Sequence, residues 1–250
     1  KTYGENDPVL TYTVSGLIGS DTITGELTRV AGEDAGIYAI QQGTLAAGEN
    51  YTIDFTGADL TVNKATLTVT AEAKSKNYGE ADPALTYIVS GFAGGDDDSI
   101  ITGALTRNPG ESAGTYAITI GTLSAGANYT ISFTGATFTI SSGSMSGVTA
   151  TDYNAAYDGA AHGITVAAPE GATVTYGTSA GEYTLEASPT YTNAGTYTVY
   201  YKAVLANYDD VTGSATVTIA ARELTVTADA KSKTYGENDP VLTYTVSGLI

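Results

Sequence analysis

Apolar and polar residues alternate singly along much of this chain. Leu-Thr-Tyr-Thr-Val-Ser-Gly at 10–16, Ala-Thr-Leu-Thr-Val-Thr-Ala at 65–71, Tyr-Thr-Ile-Ser-Phe-Thr-Gly at 129–135 and Ser-Ala-Thr-Val-Thr-Ile-Ala at 214–220 each place every second side chain on one apolar face. A period of two in Thr, Val, Ile and Tyr, bounded by Gly, Asn, Asp and Pro, predicts β-strands. No stretch carries a helical stripe. Many short strands with regular turns predict sandwiches or barrels. The expected fold is all-β, a tandem array of small Ig-like β-sandwich domains forming an elongated rod.

The array follows from repetition. Lys1–Ile18 and Lys233–Ile250 are the same eighteen residues, offset by 233 − 1 = 232. Inside that unit, "TYGENDPVLTYTVSGL" from Thr2 returns as "NYGEADPALTYIVSGF" from Asn77, an offset of 78 − 3 = 75 between Tyr3 and Tyr78. "ITGELTRVAGEDAGIYAI" from Ile23 returns as "ITGALTRNPGESAGTYAI" from Ile101, an offset of 101 − 23 = 78. The three extra residues fall in the acidic loop "GGDDDS" (Gly94–Ser99), where an exposed insertion is tolerated. Val148–Ile219 is a more distant relative that keeps "NAGTYTV" and a later Asn-Tyr pair. The expected domains are residues 1–63, lacking a first strand; 64–141; a Gly/Ser linker at 142–147; 148–220; and the start of the next unit at 221–250. The linker composition predicts a joint that bends more than the others.

The segments "EDAGIYAI", "ESAGTYAI" and "TNAGTYTV" carry a Tyr two residues before a core position. In Ig-like sandwiches such a Tyr turns inward at the corner before strand F and hydrogen-bonds upstream backbone. Tyr38, Tyr116 and Tyr197 are therefore expected in the core, with Ile40, Ile118, Val199, Leu27 and Leu105. Tyr51 and Tyr129 are expected to be at least partly buried.

These motifs resemble a family. "TYGE.DP.LTY.VSG" followed by "L.R..GE..GTYAI..GTL.AG.NYTI.F.GA" is similar to the bacterial MBG domain of the YGX type. "AAYDGAAHGITV" with "NAGTYTVYYKAVLANYDDVTGSATVTI" resembles its YDG-type cousin. The resemblance implies tandem domains of very large surface or secreted bacterial proteins, acting as spacers or adhesion modules, with no catalytic residues in the pattern.

Net charge is −17, which argues against a nucleic-acid partner. Without Cys there are no disulfides and no thiol chemistry. No apolar stretch approaches the roughly twenty residues of a membrane span. Signal and anchor are expected outside this window, and the location expected is extracellular, at the cell surface. The single His, His162, has no second His or Cys with which to form a usual metal site. An enzyme is not expected, and no cofactor is required. Calcium is the one ion with candidate ligands: Glu5 and Asp7 in "GENDP", Glu80 and Asp82 in "GEADP", and Asp96, Asp97 and Asp98 supply loop oxygens. The spacing of a calcium loop is missing, and solvated Asp-Pro turns are the plainer reading.

Lys64, Lys74 and Lys76 are candidate donors of a Lys–Asn crosslink, yet their polar "AKSK" setting reads as a domain-entry loop. Asn50 and Asn128 satisfy the N-glycan acceptor pattern, although "NYT" also suits the start of a strand. The first domain lacks its first strand, so two assemblies are open. Either a strand donated by another molecule completes it, or the chain is a window of one continuous array. Residues 233–250 would compete with 1–18 for the same place, which favours the window. A mass far above 25.5 kDa under denaturing conditions would support it. Expected partners are other copies of the array or neighbouring rods. The expected function is structural, as stalk, adhesin or filament; the alternative is a module binding glycans or host proteins.

Overall fold

The alternating runs form strands whose burial follows the pattern. In Ala65–Ala71 the residues Ala65, Leu67, Val69 and Ala71 point inward, and Thr66, Thr68 and Thr70 face solvent. A computed structural model describes all residues, 1–250, in two compact units, Lys1–Ser141 and Ser142–Ile250.

The first unit contains β1 (Thr28–Arg29), β2 (Gly36–Gln41), β3 (Ala58–Val62), β4 (Ala65–Ala71), β5 (Lys74–Asn77), β6 (Tyr87–Ser90), β7 (Thr106–Arg107), β8 (Gly114–Thr119), β9 (Tyr129–Thr134) and β10 (Ala136–Ser141). Residues 64–141 make a complete two-sheet domain. One sheet runs β6-β4-β9 and the other β5-β10-β8-β7. Strand β4 is central, antiparallel to β6 and parallel to β9. Leu67, Val69, Ile118, Phe138 and Ile140 fill the space between the sheets.

Residues 1–63 build only the sheet β1-β2-β3, with Thr2 alongside Asn63. Tyr12–Ser15 and Tyr51–Thr56 match β6 and β9 by sequence but form no strands. Their copies pair through β4, which has no counterpart strand among residues 1–63. The core expectation is corrected accordingly. Leu105 is 8% exposed and Ile118 2%, whereas their counterparts Leu27 and Ile40 are only half-buried. With no central strand, one wall of that core is open.

The second unit holds β11 (Thr149–Thr151), β12 (Tyr153–Ala156), β13 (Thr165–Ala167), β14 (Thr173–Gly177), β15 (Gly195–Val204), β16 (Val211–Ala220), β17 (Thr225–Ala228) and β18 (Tyr244–Ser247). The sheet β12-β16-β15-β14 repeats the parallel, antiparallel, antiparallel order of β5-β10-β8-β7. Beneath it lie Ile164, Val199, Val217 and Ile219. Strands β17 and β18 form a hairpin whose residues are all exposed.

Within the expected Gly/Ser linker at 142–147, Gly143 alone is tied down. Gly143 is buried and its backbone is laddered to Asn207–Asp209, its N–H donating to Asn207 O at 2.9 Å and its O accepting from Asp209 N at 2.9 Å. Ala65 N–H donates to Asn128 O at 2.9 Å in the same way. Gly143 stands alone as a parallel bridge to Tyr208, ahead of β11. The Gly143 amide should thus exchange with solvent as slowly as that of Ala65. Exchange at the rate of a free peptide would restore the linker reading.

Candidate functional site

Two constellations recur or join domains, and both are built from motif residues. The first is ionic. Strand β5 carries Lys76, the following loop Asp82, the end of β7 Arg107, and the turn before β8 Glu111. Arg107 Nε and Nη2 donate to Asp82 at 2.6 and 3.2 Å, and Nη2 also donates to Glu111 at 2.6 Å. Its Nη1 donates to the carbonyls of Asn108 and Gly110 at 3.0 and 2.7 Å. Lys76 Nζ lies 2.7 Å from Asp82 and 2.5 Å from Glu111. The guanidinium also sits 5.3 Å from the Tyr116 ring centre and 4.9 Å from that of Phe138, so the salt cluster roofs the core. Lys1, Asp7, Arg29, Glu33 and Tyr38 make the same arrangement in the first domain. Lys233 and Asp239 pair at 2.5 Å in the third copy.

A tyrosine turns the corner beneath both clusters and again in the second unit. Tyr38, Tyr116 and Tyr197 donate their hydroxyls to the carbonyls of Asp34, Ser112 and Asn193 at 2.8, 2.7 and 3.3 Å. Reaching those carbonyls places the rings at the rim, so they are half-buried where full burial was expected. Val199, two residues past Tyr197, is fully buried. Gly110 is fixed by the same contact: its φ is +143°, and a Cβ there would lie 2.3 Å from the Tyr116 ring.

Hydrogen bonds from Arg107 and then Lys76 hold the Asp82 carboxyl down at about 2, and Arg29 and Lys1 do the same to Asp7. Glu111 is lowered by Lys76 and Arg107, and Lys76 is raised by Asp82 and Glu111. Lys76, weighed for a Lys–Asn crosslink, pairs with Asp82 and Glu111 and is the hub of an ion network.

The second constellation joins the first two domains. Tyr3 donates to Asp96 at 3.0 Å and Tyr129 to the same carboxylate at 2.8 Å, with the two rings edge to face at 5.5 Å. The Tyr129 hydroxyl, on a residue only 5% exposed, also accepts from Ala93 N at 2.9 Å. Asn128 Oδ1 accepts from Ala35 N at 2.9 Å, and its Nδ2 donates to Asp34 at 2.9 Å. Between β3 with its bridged Asn63 and β4, only Lys64 is left over. The three-residue insertion of the second domain is thus the loop that presents Asp96 to the first.

These roles account for most of the calcium candidates. Glu5 and Glu80 accept from the backbone N–H of Thr2 and Asn77 at 2.6 and 2.7 Å. Asp7 and Asp82 belong to the ion clusters and Asp96 to the junction. Asp97 caps Ser99 at 2.9 Å, and Asp98 opens a short 3₁₀ turn. No three acidic or His side chains converge. His162 stacks on Tyr153 at 4.1 Å and meets Asp158 at 2.9 Å.

Sequence reading missed both constellations. The signal for the first was present: in a chain with ten basic residues, Lys and Arg recur at 1/76 and 29/107 opposite acids at 7/82 and 33/111. The model of the MBG domain (YGX type) matches residues 1–61, 67–139 and 224–250. The chain belongs to the MBG domain family of the YGX type. No curated protein matches it. The ion clusters and the corner tyrosines Tyr38 and Tyr116 therefore lie within the MBG domains of this chain. No helix is long and apolar enough to cross a membrane.

Proposed function

We propose that this chain is the structural repeat region of a large bacterial surface protein, outside the cell, where tandem MBG domains set distance and carry load. MBG domains are found in surface proteins. The observation that supports the reading most is the junction at Tyr3, Asp96, Tyr129 and Asn128, which ties one domain to the next across a single residue. A spacer needs such coupling, whereas a string of independent binding modules does not. Residues 148–220 are read as the YDG-type member of the array, and the reading needs no cofactor. The motif tyrosines support a spacer as well, because Tyr3, Tyr38, Tyr116, Tyr129 and Tyr197 are spent on corners and the junction rather than on an exposed groove.

Pulling on the chain tests this. Residues 64–141 number 141 − 63 = 78, so that domain should unfold as one event that lengthens the chain by roughly 250 Å at about 3.3–3.6 Å per residue, less its folded span. Domains that extend smoothly without a force peak would overturn the load-bearing role. Saturable binding to a glycan array would favour the adhesion module.

A further inference from the structure

Each half of the joint between the first two domains has a counterpart elsewhere in the chain. On the side of the preceding domain, Tyr3 N–H donates to Asn63 O at 2.8 Å, just past the last strand. Asp34 and Ala35 stand beside it at the corner, where Asp34 O accepts the Tyr38 hydroxyl at 2.8 Å. Residues 148–220 repeat this geometry. Tyr157 N–H donates to Ala220 O at 2.8 Å, and Asn193 O accepts the Tyr197 hydroxyl at 3.3 Å, with Ala194 next in the chain. On the side of the following domain, the Tyr129 hydroxyl donates to Asp96 at 2.8 Å and accepts from Ala93 N at 2.9 Å. In the first domain the Tyr51 hydroxyl donates to Asp21 at 2.7 Å and accepts from Ile18 N at 3.0 Å. Asn50 precedes Tyr51 as Asn128 precedes Tyr129.

We propose that Tyr157, Asn193 and Ala194 form the seat for an MBG domain of the first domain's kind, which docks through Ile18, Asp21, Asn50 and Tyr51. Two observations select that partner. Residues 233–250, which come after 148–220, are letter for letter residues 1–18, so Ile250 stands for Ile18. Within the second unit, Tyr157, Asn193 and Ala194 line one cleft with Gly248, Leu249 and Ile250. The turn glycine faces the same loop residue in both places: a Cβ on Gly4 would lie 2.7 Å from Ala93 Cβ, and one on Gly159 would lie 4.0 Å from Ile250 Cγ2. Asp158, between Tyr157 and that glycine, is held by His162 Nε2 and Ala160 N, both at 2.9 Å. In the first joint Asn128 accepts from Ala35 N and donates to Asp34. Asn193 keeps an acceptor oxygen where Asp34 has one, so Asn50 can bond Ala194 N and Asn193 Oδ1 in the same manner. A carboxylate has room for several donors, so Asp21 can take the Tyr157 hydroxyl beside that of Tyr51, as Asp96 takes Tyr3 beside Tyr129. The seat rests on the spacer reading and extends it, because coupling then passes from one repeat unit to the next.

The test extends the full chain past Ile250 with a second copy of residues 19–141, which continues the repeat in frame, and follows amide exchange. The Ala194 N–H should be protected as the Ala35 N–H is. Asn50→Ala in the appended copy alone should speed Ala194 exchange more than about tenfold. That substitution lies in the partner domain, so the amide of Val199, buried in the core of 148–220, should stay slow. Equal Ala194 exchange in parent and variant, with Ala35 still protected, would overturn this seat and leave the first joint standing. Exchange of Ala35 at the rate of a free peptide would instead remove the first joint, and the spacer reading with it.

Discussion

Tyr116→Ala should cost the second domain about 2–4 kcal/mol, somewhat below the range for a fully buried aromatic because the ring is half-buried. Three contacts go together. The hydroxyl bond to Ser112 O at 2.7 Å is lost. The ring no longer fills the space above Gly110. Arg107 loses one of the two rings beneath it. Tyr116→Phe keeps the ring and should cost only about 1 kcal/mol, the net worth of a single hydrogen bond. A domain of this size has little reserve, so Ala should leave it partly unfolded at ambient temperature. Urea titrations followed on the backbone resonances of residues 64–141 separate the two variants. Equal midpoints for Ala and Phe would show that the corner holds nothing.

Acid should dismantle the ion clusters before it touches the apolar core. The Asp82 carboxyl is held at about 2, below its ordinary 3.8, by Arg107 and Lys76. A depressed carboxyl stabilises the fold above its ordinary value and loses that contribution as pH falls through the folded one. Melting temperature should therefore drop between about pH 4 and pH 2, with Asp7 adding the same dependence in the first domain. Lys76 is shifted upward, so its contribution is intact below 10.5 and is lost only in strong base. Asp82→Asn should melt lower at neutral pH and show a flatter profile from pH 4 to 2. Its carboxylate is partly exposed, so added salt should narrow the difference between variant and parent. A variant with an unchanged acid limb would remove Asp82 from the account.

The strands were legible because alternation is a local signal, and a buried sandwich strand such as β4 has to obey it. The corner tyrosines were legible because their partner carbonyls lie four residues upstream. Both ion clusters were not, since Arg107 and Asp82 are 25 residues apart and Lys76 and Glu111 are 35 apart. Acidic letters near a Pro looked like loop oxygens until the fold supplied cations. The Asp96 loop read as a tolerated insertion because its partner, Tyr3, belongs to another domain. The bridge at Gly143 was not legible because it depends on the Asn207–Asp209 backbone it pairs with and not on its own side chain. Leu27 and Ile40 carry core letters, but burial also requires a neighbour, and the wall beside them is open.

Coupling of successive domains is the central claim, and residual dipolar couplings measured on the intact chain test it most directly. If the Tyr3–Asp96–Tyr129 and Asn128–Asp34 contacts hold, residues 1–63 and 64–141 should fit one alignment tensor. Tyr3→Phe combined with Asp96→Ala should then split the fit in two while leaving each domain folded. Two unrelated tensors in the unaltered chain would contradict the account.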